Sequence, residues 1–489
     1  MATPTLTPGF TVLSDCDSTT GWSAGTLDTE VVKQGTSSLS GILRTAGLNT
    51  RTYTTTTFNS TGQHLRMWLN YASIGFLQTQ ANGGIRLFAQ DTAGNIGYWY
   101  LGGIDTYDGG WTLLQVDMDR AFDAQTGTPN RTQINRVGFT LNLTGAPRNA
   151  TNTWYDYLVR GNGLTITGGS ELDPIDWAGV AAVDAASGYG AVRRQNGVYF
   201  VNTNLTIGGA TTTVFNDTNQ IVVFENQPVN ADLYKLEPAG TASTTFRLTN
   251  SVIKSANTAS RFDLLLNNAN LNTLEFDGNT VVNADATRFK AGQSVSGCVF
   301  QGCNQIQTAG AGFTGNTVRG STDALGALLW PDGTSVQNCD FVGNSRAIQI
   351  NTTGTKDFIG ITFSGNTFDI NNTSGSAVTV NVSGGGTASG VTSTGSAVTV
   401  QASATLTLTG VVDGSEVRIY AHGTTTELYG LESKTAGVNP AYSYTSPQAV
   451  DIVVHNVAYN YFRLENYQLA ASDATLPVAQ VFDRNYRNP

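Results

Sequence analysis

FDGNTV at 276–281, FTGNTV at 313–318, FVGNSR at 341–346 and FSGNTF at 363–368 are four copies of one phrase, Phe-x-Gly-Asn-Thr/Ser. They lie in a stretch running from about Phe246 to Val400, and a divergent copy, FQGCNQ, begins at Phe300. Two residues before each Phe stands Leu274, Cys298, Ala311, Cys339 or Ile361, and five before it stands Leu271, Val295, Val336 or Phe358 in four of the five copies. That spacing alternates with the Phe at the period of a strand. A Gly that takes positive φ and an Asn whose amide can bond a neighbouring turn then close the strand.

One such unit cannot bury its own apolar face, so the copies predict a stack of coils. Phe276 to Phe300 is 24 residues and Phe341 to Phe363 is 22. Cys298 and Cys339 are 41 apart, which suits two coils, and Ser-Ala-Val-Thr-Val at 376–380 returns at 396–400. The expectation is a right-handed parallel β-helix over 246–405, with Phe276, Phe300, Phe341 and Phe363 in one buried stack. Phe313 follows Phe300 by only 13 residues, too few for a coil. Either it occupies another corner or the register differs there.

The 489 residues carry a net charge of −10, only 13% charged residues and 55 Gly, amid abundant Thr, Ser, Asn and Val. This is the composition of short strands and turns. Nucleic acid as a ligand would require clustered Lys and Arg, against the balance found here. MATPTLTPGF, at 1–10, has neither a basic start nor an apolar core, and no run of 18 apolar residues occurs. Synthesis in a reducing cytoplasm, with no signal peptide and no membrane insertion, is therefore expected. Four cysteines make no disulfide framework, and Cys298 and Cys339 read as small buried hydrophobes. His64, His422 and His455 form no metal-binding pattern.

Residues 1–165 contain regularly spaced short strands, among them HLRMWLNY, GGIRLFAQ and NIGYWYL, which predict a two-sheet sandwich. Asp17 to Trp22, KQGTSSL at 33–39, and a last strand carrying Trp154, Tyr155 and Asp156 resemble the jelly-roll modules of the carbohydrate-binding type. That resemblance implies Trp99 and Trp111 as stacking platforms for a sugar, with core packing as the alternative. It also implies Asp156 as a ligand of a structural Ca2+, with a hydrogen-bonded surface Asp as the alternative. GNGLTITGGS at 161–170 reads as a linker or abrupt boundary. Asp173, Pro174, the run WAGVAAVDAA and Gly188 have the order of a capped helix, and 170–245 is expected to hold this cap and the early coils. The loop at 320–333 carries Trp330, either as an exposed partner contact or folded back on the coil.

From Leu406 the period-two alternation of Val417 with Ile419, and of Val450 with Ile452 and Val454, predicts a small sandwich over 406–489. It is similar to the transthyretin-like or Cna-B-like modules that end phage structural proteins, as is the closing FDRNYRNP. That tail offers Arg484, Tyr486 and Arg487 as contacts to a partner. Chain-wide, the three modules resemble a bacteriophage virion appendage: a tailspike, head spike or capsid decoration protein. The resemblance implies a homotrimer located in the virion, with capsid or tail proteins and host glycan as partners.

Because phage β-helices are often sugar-cleaving enzymes, an enzymatic reading requires paired carboxylates on the outer face. The aligned copies carry no such column. Glu275 and Asp277 flank Phe276 and point outward together, roughly 6.5–7 Å apart. The expectation is a non-enzymatic structural protein without a cofactor. A polysaccharide depolymerase using Glu275 and Asp277, or a sugar-binding adhesin, are the alternatives.

Overall fold

In a computed structural model the described residues are 1–148, 151–225, 234–256, 261–384, 386–387, 394–402, 404–444, 448–470 and 473–484. The fold is all-β, with one α-helix among the described residues. It forms two compact units, Met1–Gln293 and Ser294–Pro489.

The first unit begins as a sandwich. One antiparallel sheet holds, in order, Gly47–Phe58, Ile134–Leu143, Ile85–Asp91, Ile96–Gly102 and Ala124–Thr126. The other is built around Thr153–Thr167, which pairs antiparallel with Thr5–Ser14, Ser38–Gly41 and His64–Tyr71. Their alternating apolar residues, including Leu87, Trp99, Phe139 and Tyr155, meet in one core. The segment expected to be a linker or an abrupt boundary is strand as far as Thr167. Its register breaks near Tyr157, which takes φ +50, and beyond the break Leu164–Ile166 pair in parallel with Leu205–Ile207. The same strand thus closes the sandwich and starts the coil.

Helix α1, Trp177–Ser187, follows. Asp176, not Asp173, is its N-cap, accepting from the Gly179 N–H at 2.7 Å, and Gly188 ends it at φ +67 as expected. Trp177 is fully buried, edge-on to Phe215 at 5.2 Å. The following coils lay down three parallel ladders. One contains Val198–Val201, Ile221–Phe224, Val252–Ser255 and Thr280–Val282. Another contains Thr213–Thr218, Thr244–Thr249 and Leu271–Asp277, with Phe276 opposite Leu248.

The second unit continues the same logic. Val295, Phe313 and Val336 share one ladder, whereas Phe300, Val318, Phe341 and Phe363 share another. The phrase therefore marks two corners of the coil rather than one, which explains the short step to Phe313. The expected single stack is corrected accordingly. Phe276 stands in a ladder of the first unit opposite Leu248, Val318 occupies a rung between Phe300 and Phe341, and Phe363 is only half-buried. Phe341 and Phe363 do stack, with ring centres 5.8 Å apart. The steps read from Cys298 to Cys339 and from Val378 to Val398 agree with the register.

Each phrase's Asn clamps the preceding coil. Asn316 donates to the Val295 carbonyl at 3.0 Å and accepts from the Cys298 N–H at 2.8 Å. Asn344 does the same with Val318 and Ser321, and Asn366 with Phe341 and Asn344. Gly315, Gly343 and Gly365 precede them at φ +66, +63 and +65, which only Gly adopts without cost. The unit ends in a sandwich of a three-stranded and a four-stranded sheet, whose core includes Leu406, Val417, Ile419, Val450 and Ile452.

Candidate functional site

In the first unit an open groove of ≈ 510 Å³ runs between helix α1, the hairpin that follows it, and sandwich residues Lys33, Trp68 and Trp111. The hairpin joins Val192–Gln195 to Val198–Val201 through Asn196 and Gly197, both at positive φ, as a tight two-residue turn requires. It carries Arg193, Arg194 and Gln195 to the groove. The floor is made of the short helix residues Ala178, Ala181, Ala182 and Ala185. Trp111 is half-buried, one side packed against the cluster of Phe10, Trp68, Tyr157 and Val159. Trp68 donates its indole N–H to the Gly188 carbonyl at 3.0 Å, tying the sandwich to the helix end.

Charge in the groove is mostly positive. The Lys33 ammonium lies 4.2 Å over the Trp68 ring, and loss of solvent pushes its pKa down, Asp184 opposing and Arg193 adding to the shift. Arg193 pairs with Glu225, while Arg194 is exposed over Tyr199. Among the described residues neither Lys33 nor Arg194 has a carboxylate within ion-pairing distance. Asp184, the acid of the lining, is buried and accepts from the Ala191 and Val192 N–H groups at 3.0 and 3.2 Å. Burial raises its pKa to about 6 against those bonds.

Beside the groove lies a buried polar cluster. Arg66 donates to the Asn202 carbonyl at 2.8 Å, and His64 Nδ1 sits 3.2 Å from the Tyr234 hydroxyl and 3.3 Å from Gln115 Nε2. Burial, then Arg66, lowers the His64 pKa to about 3, so the ring is neutral. A smaller cavity of ≈ 220 Å³ meets Arg193, Gln115 and Tyr234.

Of the two tryptophans expected as platforms, Trp111 lines the groove and Trp99 does not. Trp99 is fully buried in the sandwich core, donating to the Arg120 carbonyl at 3.1 Å. Trp99 lies in the middle of strand Ile96–Gly102, whereas Trp111 directly follows Gly109 and Gly110, both at positive φ. Asp156 is hydrogen-bonded, its Oδ2 accepting from the Lys33 and Gln34 N–H groups at 3.0 and 2.9 Å, but it is fully buried rather than at the surface. Among the described residues no group of three or more His, Cys, Asp or Glu is placed to hold a metal ion.

Glu275 lies 3.6 Å from Arg247, which also pairs with Glu171 at 2.7 Å. Asp277 flanks Phe276 on the other side in the same strand. Trp330 is buried, its ring 4.2 Å from Phe358, so the loop folds back and Trp330 is no partner contact. Arg484 is exposed; Tyr486 and Arg487 lie outside the described residues. Lys33, Trp68, Arg193 and Arg194 were not anticipated. The Asn196–Gly197 pair is the signal that foretells the hairpin presenting both arginines.

No protein-family model matches the sequence, and no curated protein matches it significantly. Among solved structures, the CBM22-1 xylan-binding domain of Xyn10C from Paenibacillus barcinonensis is similar at 14% identity, over 32% of this chain and 96% of that domain, with a TM-score of 0.21. A likeness this slight transfers no ligand.

Proposed function

We propose that this chain is a non-enzymatic structural protein of a phage virion, a spike, fibre or capsid-decoration component used for display, attachment or particle stabilisation. The observation that carries the reading is the clamping of coil on coil by buried Asn residues. Asn316 and Asn344, each about 1% exposed, bind backbone groups of the coil before them, which makes a stiff spacer rather than a mobile catalytic wall. The outward Glu275 is turned to Arg247, which also pairs with Glu171 in a surface ion network. The depolymerase reading would need that carboxylate and Asp277 to face a substrate instead. The sugar-binding reading is favoured by one feature, Trp111 on an open groove.

By the same reading the protein is a homotrimer in the particle, held by its C-terminal sandwich against a capsid or tail protein. Val457, Tyr461, Val481 and Phe482 are all more than half exposed there, next to Arg484. An exposed apolar group of this kind suits a partner surface. Electron microscopy of intact particles carrying a labelled chain tests the assignment, and a chain absent from purified virions overturns it. Release of oligosaccharide from host capsule or lipopolysaccharide, lost in Glu275→Gln or Asp277→Asn, would establish the depolymerase instead.

A further inference from the structure

We propose that the groove between helix α1, the 192–201 hairpin and Lys33 binds an acidic sugar residue, a uronic acid within a surface glycan. The proposal deepens the attachment reading above by naming the ligand class and the place. The ≈ 510 Å³ volume falls in the range of sites that hold small ligands. Trp111 is backed by the Phe10–Trp68–Tyr157–Val159 cluster, so the indole is held in place, and the apolar C–H face of a pyranose stacks on such a ring. The alanines of α1 leave room for the ring, and Arg194 and Gln195 on the hairpin supply hydrogen-bond donors for hydroxyl oxygens.

Charge decides between a neutral and an acidic sugar. In a chain of net charge −10 this groove gathers Lys33, Arg193 and Arg194 around Asp184 alone. Asp184 is committed to the Ala191 and Val192 N–H groups, and Arg193 to Glu225. Lys33 is held over Trp68 and partly stripped of water, a desolvation that Asp184 and Asp156 offset only in part and to which Arg193 adds. A carboxylate entering the groove relieves that cost and forms charge-assisted hydrogen bonds, whereas a neutral sugar leaves it in place. A bare phosphate would satisfy the cations but use neither the indole nor the apolar floor.

The test titrates the full chain with a galacturonic-acid disaccharide and with its neutral galactose counterpart, reading tryptophan fluorescence and heat. The uronide is expected to bind at least about tenfold more tightly than the neutral sugar, with Lys33→Gln and Trp111→Ala each weakening it by about tenfold. Lys33→Gln is at a half-exposed position and keeps the test open if Trp111→Ala melts early. Equal binding of the two sugars, no binding at about 10 mM, or binding indifferent to Lys33→Gln in a normally melting protein overturns the proposal. Particle assembly separates this from the structural reading. A Lys33→Gln chain that loses the uronide yet enters virions supports both, while a chain that binds the uronide but is missing from virions supports this proposal alone.

Discussion

Asp156 accepts two backbone hydrogen bonds, yet burial outweighs them and raises its pKa to about 7 from the ordinary 3.8. A folded-state pKa above the unfolded one means that the native chain holds the proton more tightly between about pH 4 and 7, so this group's contribution falls as pH rises through that window. Asp184 acts in the same direction, and His64, lowered to about 3, acts oppositely below about pH 6.5. Asp156→Asn keeps the accepting oxygen and never ionises. It should raise the melting temperature by on the order of 4 °C at pH 8, with the gain gone by about pH 4. Circular-dichroism melts at pH 4, 6 and 8 check this, and equal melting at all three would refute it. In the second unit Phe341 is fully buried and Phe363 half-buried. Phe341→Ala should cost on the order of 3–5 kcal/mol, and Phe363→Ala clearly less, in denaturant titrations. The aromatic residues were legible as apolar; which of them reached solvent was not, since Trp99 and Trp330 are core and Trp111 is not.

The coil corner is an element with its own chemistry. Removing Asn344 to Ala strips the Ser321 N–H and the Val318 carbonyl of their partners while keeping both buried. We expect a loss of about 1–3 kcal/mol and faster amide exchange around 318–321. Gly343→Ala forces a Cβ into φ +63 and should cost about 1–2 kcal/mol without altering those bonds. If exchange at the corner is unchanged in Asn344→Ala, the clamp is not what fixes coil to coil. Gly-Asn after a strand was readable as this corner because both residues answer to local backbone needs. Which of the coil's corners each copy occupied was not readable. That depends on how many residues the intervening turns consume, and the step shrinks to 18 between Phe300 and Val318 and grows to 23 between Val318 and Phe341.

At the scale of the whole molecule, the trimer and the C-terminal anchor are the claims to test. Native mass spectrometry should show three chains, and a stable monomer at micromolar concentration would remove the trimer for the free protein. Deleting residues 483–489 should abolish incorporation into particles while the truncated chain still folds; normal incorporation would mean that the tail is not the anchor. The sequence by itself determined the class of fold: a low-charge, Gly- and Thr-rich chain with period-two alternation and a returning Phe-x-Gly-Asn phrase has only stacked strands in which to bury its apolar rows. It also carried the buried thiols, the capping Gly188 and the 22-residue step from Phe341 to Phe363 across one coil. Only the tertiary structure decided the groove. Lys33, Trp111 and Arg194 are more than 70 residues apart from one another in sequence, and they meet because one strand, Thr153–Thr167, both closes the sandwich and opens the coil. Local preference sets which residues alternate and turn, whereas the juxtaposition of distant side chains depends on a register that no single segment encodes.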